Sequence, residues 1–310
     1  MSAIRVEGLR KNFGGVHALD GLDFSVEKGA VFGFLGPNGA GKTTTLRILA
    51  GLAKPTAGSA WIEGQPVGPE SPARGMLGYL PEEPGFYPWL TAREFLVDLM
   101  GGLYSLAHPE ACARSKELLE MLGLRDAADR KVGGFSRGMK QRLGLAQALL
   151  NRPRVLLLDE PVSALDPVGR HDILALIESL KGETTVLMST HILADVERIC
   201  DFIGIIDHGK LVALGERHEL LKRFAVPVTE LVFDAPEEAV QAWGASLQDL
   251  DFVRDVVFKG NVLRITLDGS EAGNKKLQDH ILGSSMILQS FHQTRPQLED
   301  VFIRLVGGER

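Results

Sequence analysis

The sequence predicts an α/β fold over its first two thirds, a mainly parallel sheet with a helical insertion, followed by a smaller α+β module. Three observations carry this expectation. The runs at residues 30–35 (AVFGFL), 155–158 (VLLL) and 185–189 (TVLMS) have the unbroken hydrophobicity of strands covered on both faces. Between the first and second run lies a block whose apolar residues recur with the period of a helix packed on one face. Near residue 225 the pattern changes to short strands and single helices in the order βαββαβ.

Taken in chain order, residues 4–9 and 22–26 alternate apolar and polar side chains and read as early strands. Residues 30–35 follow as a buried strand. Thr91-Ala-Arg-Glu94 fits a capping box, in which the threonine accepts from the amide three residues on and the glutamate reaches back. Phe95, Leu96, Leu99, Met100, Leu103 and Leu106 then recur at helical spacing. Pro109 opens a second helix, where its missing N–H costs nothing, and Gly123 stands where that helix should stop. Ser136 suits the N-cap of a third helix, with Met139, Leu143, Ala146 and Leu150 on one face. Asp166 and Pro167 form an N-cap and N1 pair for the helix carrying Ile173, Leu176, Ile177 and Leu180.

In the tail, residues 229–233 read as a strand and 237–245 as a helix. Residues 252–259 and 262–267 read as strands joined by a turn at Gly260-Asn261, and 275–282 and 287–294 as a helix and a strand. That order suggests a ferredoxin-like module. A last helix at 297–305 places Leu298, Val301, Phe302 and Leu305 on one face. The expected division is 1–222 for the first domain, with the insertion and the helix after it at about 84–150, and 226–310 for the second.

Composition narrows the function. A length of 310 residues suits two domains, and 34 basic against 40 acidic residues gives a net charge of −6, so a surface built for nucleic acid is not expected. No run approaches the roughly 18 apolar residues of a membrane span, and the opening MSAIRVEGLRKNF has no apolar signal-peptide core. Cys112 and Cys200 are far apart and lack metal-ligand spacing, which fits a reducing cytosol. Any membrane role is therefore expected to need a partner.

Three motifs carry chemistry. Gly36, Pro37, Asn38, Gly39, Ala40, Gly41, Lys42 and Thr43 fit the phosphate-binding loop, between a strand and a helix as that pattern requires. Glycines let main-chain N–H groups turn inward around phosphate oxygens, and the helix adds its positive end. Lys42 would reach the outer phosphates and the Thr43 hydroxyl would hold Mg²⁺. Asp159 and Glu160 follow the strand at 155–158, at the end where open α/β sheets bind ligands. Asp159 would hold Mg²⁺ and Glu160 would orient the attacking water. The third motif, residues 135–142 (FSRGMKQR), puts a serine and a close-approach glycine at a helix start, which suits a phosphate.

The ordered set resembles the nucleotide-binding subunit of an ATP-binding cassette (ABC) transporter over roughly residues 3–220. It comprises Phe13 before Gly14, the loop with Thr44 after it, Leu80-Pro81-Glu82, the signature at 135–139, Asp159-Glu160, Ser163-Ala-Leu-Asp166 and His191. The resemblance implies a P-loop NTPase cassette with a mainly parallel core sheet, an antiparallel β subdomain and a helical insertion. It implies that Phe13 stacks on adenine and that His191 senses the γ-phosphate. Ser136 and Gly138 would contact ATP held by a second subunit packed head to tail, most simply an identical one, with Asp166 at that interface. Lys42, Glu160 and His191 would be catalytic. Thr43, Asp159 and Glu82 would be the metal set.

The family usually has glutamine in place of Glu82, glycine in place of Arg137 and often glutamine in place of Met139. Such variation, and the tail at 296–302 (PQLEDVF), resemble the ABC-2 type exporter branch. The expectation is an ATP-hydrolysing subunit, cytoplasmic and peripheral at the cytoplasmic face of the cell membrane. It would use ATP and Mg²⁺ to drive a separate membrane permease. The permease would dock in the groove between core and insertion, near residues 82–91, where Phe86, Tyr87 and Trp89 either meet the partner or pack beneath the insertion. The alternative is a non-transport ABC ATPase or a regulatory ATP-binding module. The short insertion without cysteine pairs disfavours a DNA-repair member, and Glu160 disfavours a non-hydrolysing one.

Overall fold

Unbroken apolar runs form the middle of a six-stranded sheet. In the computed structural model, which describes residues 2–224, 228–268, 270–284, 286–294 and 298–306, β3 (Val31–Leu35), β7 (Val155–Asp159) and β8 (Thr185–Thr190) are buried at every position. The sheet runs β10-β9-β3-β8-β7-β6, with β6 at Leu77–Leu80, β9 at Phe202–Asp207 and β10 at Lys210–Glu216. All pairings are parallel except β9 with β10. The register of β7 on β8 sets Asp159 opposite Ser189, which brings two polar residues together at the C-terminal edge.

A second sheet, order β2-β1-β4-β5, is antiparallel: β1 is Ser2–Phe13, β2 Val16–Glu27, β4 Ala57–Ile62 and β5 Gln65–Pro66. The first two strands are much longer than the sequence pattern suggests. Register shifts between Val6 and Leu9 and between Lys11 and Asn12 break the alternation while the ladder continues to Phe13. The two sheets share one core. Phe24 stacks on Phe32 and Phe34 with ring centres 5.6 and 5.7 Å apart. Burying such rings contributes roughly 2–3 kcal/mol each. Helix α1 (Lys42–Leu49) begins directly at the phosphate-loop motif.

The insertion begins as expected, with Thr91 and Glu94 closing a capping box. Its first helix is then not a regular α-helix. The pieces α2 (Ala92–Glu94) and α3 (Gly101–Leu103) flank a π-helical stretch, Phe95–Met100. The expected apolar face is corrected accordingly. Val97 is buried, whereas Leu103 is 69% exposed, because the wider turn shifts the register. Helix α4 (His108–Met121) ends before Gly123, and α5 (Arg137–Leu149) is capped by Ser136. Helix α6 (Pro167–Ser179) is capped by Asp166 and also buries Leu174. Helix α7 (Leu193–Ile199) follows β8, and α8 (Arg217–Phe224) follows β10.

Contacts divide the chain into Met1–Arg217 and His218–Arg310. The second unit has its own four-stranded antiparallel sheet in the order β12-β13-β11-β14. Its strands are β11 Val228–Asp234, β12 Val253–Lys259, β13 Val262–Leu267 and β14 Ile287–Thr294. With α9 (Glu237–Leu247) and α10 (Glu271–Gly283) between strands, this is a split βαβ arrangement. Leu231, Phe233, Val240, Leu263, Ile265 and Leu277 form its core. Gly260 takes φ +60°, the left-handed value its hairpin turn needs. Helix α11 (Leu298–Val306) follows. The expected boundary at residue 226 and the helix start at Gln297 lie outside the described residues.

Candidate functional site

The site begins where β3 stops. Residues 36–41 turn back over the strand end and α1 starts at Lys42. Gly41 is the N-cap at φ +111°, a conformation open to glycine alone. At Gly36 a Cβ would lie 2.3 Å from the Ile206 carbonyl, so the loop rests on β9 without room for a side chain. Lys42 is only 6% exposed, and its Nζ donates to the carbonyls of Gly36 (2.6 Å) and Pro37 (3.1 Å). Burial lowers its pKa below the usual lysine value. The carboxylates of Glu160, Asp159 and Glu82 act in the opposite direction.

Asp159 ends β7 almost fully buried. Its Oδ1 accepts from the hydroxyls of Thr43 (3.1 Å) and Ser189 (2.5 Å), and its Oδ2 has no hydrogen-bond partner. Glu160 comes next, at φ +48°, a strained value for a residue with a Cβ. Its N–H donates to the Ser189 carbonyl at 3.1 Å. Its own carbonyl accepts from Gln141 Nε2 at 3.3 Å and Ser163 Oγ at 3.2 Å. Its Oε1 lies 2.9 Å from His191 Nδ1, while Oε2 is buried and unpartnered. His191 stands just past the end of β8, which carries it opposite Glu160.

These residues converge on a cleft of about 300 Å³ lined by Asn38, Gly39, Gly41, Lys42, Thr43, Thr44, Glu82, Glu160, Ser163 and His191. Gly36, Pro37 and Ala40 complete the turn but do not line it, and Asp159 reaches it only through its hydrogen bond with Thr43. Four expected site residues stand apart from this cleft. Phe13 is exposed at the end of β1, with Lys11 Nζ 4.8 Å from its ring centre. Ser136 and Gly138 are at the head of α5, where Ser136 Oγ accepts from the Met139 amide. Asp166 is exposed and accepts from the Gly169 amide.

Sequence reasoning assigned no role to Gln141, Ser163 or Ser189. The first and last lie 19 and 29 positions from Glu160, and only strand pairing and helix packing bring them to it. A second, larger cleft of about 1030 Å³ runs along the insertion, lined in part by Arg47, Arg74, Tyr79, Glu82, Leu103 and Tyr104. Burial and the Asp159 charge push the Tyr79 phenol up to about 12. Thr43 and Glu82 line both clefts, and Asp159 lines the larger one. Of the three expected docking aromatics, Phe86 packs edge-on against Phe95 at 4.9 Å. Tyr87 and Trp89 are exposed, with ring centres 5.2 Å apart, and none of the three lines either cleft.

The donor set suits a hard cation. Asp159 Oδ2, buried without a hydrogen bond in a carboxylate that is paired with the Thr43 hydroxyl, is an acceptor that Mg²⁺ would satisfy. Among the described residues no three His, Cys, Asp or Glu side chains form a metal cage. Such an ion would complete its shell with phosphate and water, as Mg²⁺ commonly does.

The family model for ABC transporters matches residues 19–163. An uncharacterized ABC transporter ATP-binding protein, YxlF of Bacillus subtilis (strain 168), is 40% identical over 98% of this chain and 99% of its own. The chain belongs to the ABC transporter ATP-binding proteins. Another relative, the Nod factor export ATP-binding protein I of Rhizobium sp. (strain N33), is 35% identical over 99% of this chain and 98% of its own. Among solved structures, the ATP-binding cassette MJ0796 as a post-hydrolysis dimer bound to ADP and Pi superposes with a TM-score of 0.64. It is 26% identical and covers 69% of this chain and 98% of its own. Cassettes of this family bind ATP and hydrolyse it, and the chain is an ABC ATPase. Among the described residues no helix is long and apolar enough to cross a membrane.

Proposed function

We propose that the chain is the ATP-hydrolysing subunit of an ABC exporter, working at the cytoplasmic face of a membrane with a separate permease. The observation that supports hydrolysis is Glu160. It is a buried carboxylate with one oxygen on His191 and the other unpartnered, facing the phosphate loop across a single cleft. The export direction rests on the name of the Nod factor relative. Dimeric work rests on the dimer described for MJ0796 and on the distance of Ser136 and Gly138 from the cleft of their own protomer.

In this reading the amides of residues 38–44 hold the β- and γ-phosphates, and Lys42 exchanges its loop carbonyls for phosphate oxygens. Phe13 stacks on adenine. Thr43 and Asp159 would hold Mg²⁺, with Glu82 beside them, and the ion would supply charge neutralisation for the phosphoryl oxygens. Glu160 Oε2 orients the attacking water in line, and His191 fixes the Glu160 carboxylate and contacts the γ-phosphate. Ser136 and Gly138 of a second copy close the site, with Asp166 at the join. ATP thus bridges two half-sites, and its hydrolysis removes the bridge. The large cleft beside the insertion receives the permease, and Glu82 links it to the nucleotide. Residues 218–310 act as an accessory domain.

The test is Glu160→Gln. General-base assistance is worth roughly 10²–10⁴-fold, so phosphate release should fall by at least about 100-fold while ATP binding persists. An ATP-dependent dimer should accumulate in size-exclusion chromatography. Wild-type turnover in this variant removes Glu160 from the mechanism.

A further inference from the structure

We propose that Gln141 is a positioning residue for Glu160, a clamp through which helix α5 sets the geometry of the hydrolytic carboxylate in its own protomer. This rests on the reading of Glu160 given above. Gln141 is 2% exposed, and its Nε2 donates to the Glu160 carbonyl at 3.3 Å. A polar amide kept in a core needs a partner there, and this one is paired with the backbone of the residue that faces the cleft.

The backbone at that point needs holding. Glu160 has φ +48°, and a residue with a Cβ leaves that region when nothing opposes it. Its peptide is held from three directions. The N–H is fixed by the Ser189 carbonyl and hydroxyl on β8, and the carbonyl by the Oγ and N–H of Ser163 in the following loop and by Gln141 from α5. Rotation about φ swings the Cα–Cβ bond, and with it the carboxylate that His191 holds at 2.9 Å. Gln141 therefore acts through the main chain of Glu160, without touching the reacting atoms. A displacement of about 1 Å at such a site costs up to about 100-fold in rate.

The experiment replaces Gln141 with Met, which keeps its length and removes its donor, and with Glu, which opposes a carboxylate to the carbonyl. Gln141→Met should lower kcat by roughly 10- to 100-fold with KM for ATP unchanged within about twofold. In single-turnover measurements the double variant with Glu160→Gln should be no slower than Glu160→Gln alone, because two residues acting as one unit are not additive. Gln141→Glu should regain activity as pH falls, since a protonated carboxyl donates where a carboxylate cannot. A purely structural role gives neither the non-additivity nor the acid rescue.

A Gln141→Met protein with kcat within about twofold of wild type overturns the clamp. So does one that loses the same factor in the Glu160→Gln background. If Gln141→Met does not fold, Ser163→Ala loosens the same carbonyl. A loss that disappears in the Glu160→Gln background supports the clamp, and an additive loss overturns it. The two ideas fail differently. Wild-type turnover in Glu160→Gln removes the underlying reading, whereas a slow Glu160→Gln beside a fast Gln141→Met removes only the inference.

Discussion

Gly78 sits in β6 where the C-terminal end of α5 crosses it. A Cβ at this position would lie 2.0 Å from the Ala148 carbonyl oxygen and 2.9 Å from its carbon. Real contacts of this kind do not fall below 3.0 Å, so Gly78→Ala must open the pair by at least 1.0 Å (3.0 − 2.0). Neither side yields cheaply. β6 is bound along its length to β7, and Ala148 is the backbone of a helix whose Leu143, Leu145 and Leu149 are buried. Overpacking costs about 1–3 kcal/mol, and a backbone-to-backbone clash belongs at the upper end. For a unit of this size about 3 kcal/mol lowers Tm by roughly 6–12 °C. The same withdrawal tilts α5 away from Glu160, and a Gln141 contact already at 3.3 Å has little reserve before it ceases to be a hydrogen bond. Thermal unfolding and steady-state ATPase rates should therefore fall together, with kcat reduced by about three- to tenfold. A Gly78→Ala protein melting within about 2 °C of wild type with unaltered kcat would refute the reasoning.

Glu82→Gln should remain active but require more Mg²⁺, because a charged oxygen beside Thr43 and Asp159 becomes a neutral one. Rate against free Mg²⁺ measures this, and superimposable curves count against it. Leu231→Ala, at a fully buried position of the tail core, should cost about 2–5 kcal/mol and lower the tail's melting by about 8 °C or more, leaving ATP affinity unchanged. A matching loss of ATP affinity would contradict it. Burial holds the folded-state pKa of Asp195 above the ordinary aspartate value of 3.8, against the pull of Arg170. Its contribution is thus fully present below pH 3.8 and is lost as pH rises through the raised value. Relative to Asp195→Asn, wild-type Tm should fall over that window, and parallel curves would deny the shift.

The buried strands of the cassette were legible because a strand covered on both faces must be apolar at every position, and Val155–Asp159 meets that condition up to its functional end. The tail was legible for the same economy of pattern, with a Gly-Asn turn fixing one hairpin. The antiparallel strands β4 and β5 were not read, since Ala57-Gly-Ser-Ala offers little hydrophobic signal and its pairing with β1 is a long-range fact. β9 and β10 carry a visible apolar pattern that the sequence reading left unassigned. At the site, the residues that face the cleft lie in local motifs and, Ser163 apart, were given their roles in advance. Those that hold them in place were not. Ser189 reaches Asp159 only because β8 lies beside β7, and Gln141 reaches Glu160 only because α5 packs under the strand end. Linear spacing encodes neither adjacency.

A single surplus residue within the π-helical stretch Phe95–Met100 turns everything after it by about 100° relative to an unbroken α-helix. Leu103 is carried outward by that turn and becomes, with Met100 and Tyr104, part of the wall of the larger cleft. The helix therefore behaves like a reading frame. Removing one residue from this stretch would let it close as an ordinary α-helix while everything after it kept its facing, whereas winding the present length as an α-helix would swing Leu103 inward and leave the cleft with a more polar wall. Relatives that wind this stretch as an unbroken α-helix at the same length would present different surfaces to whatever enters that cleft while keeping the nucleotide site intact. The wall of that cleft and the nucleotide site can then diverge through separate changes, the winding of one turn for the first and side-chain identity for the second.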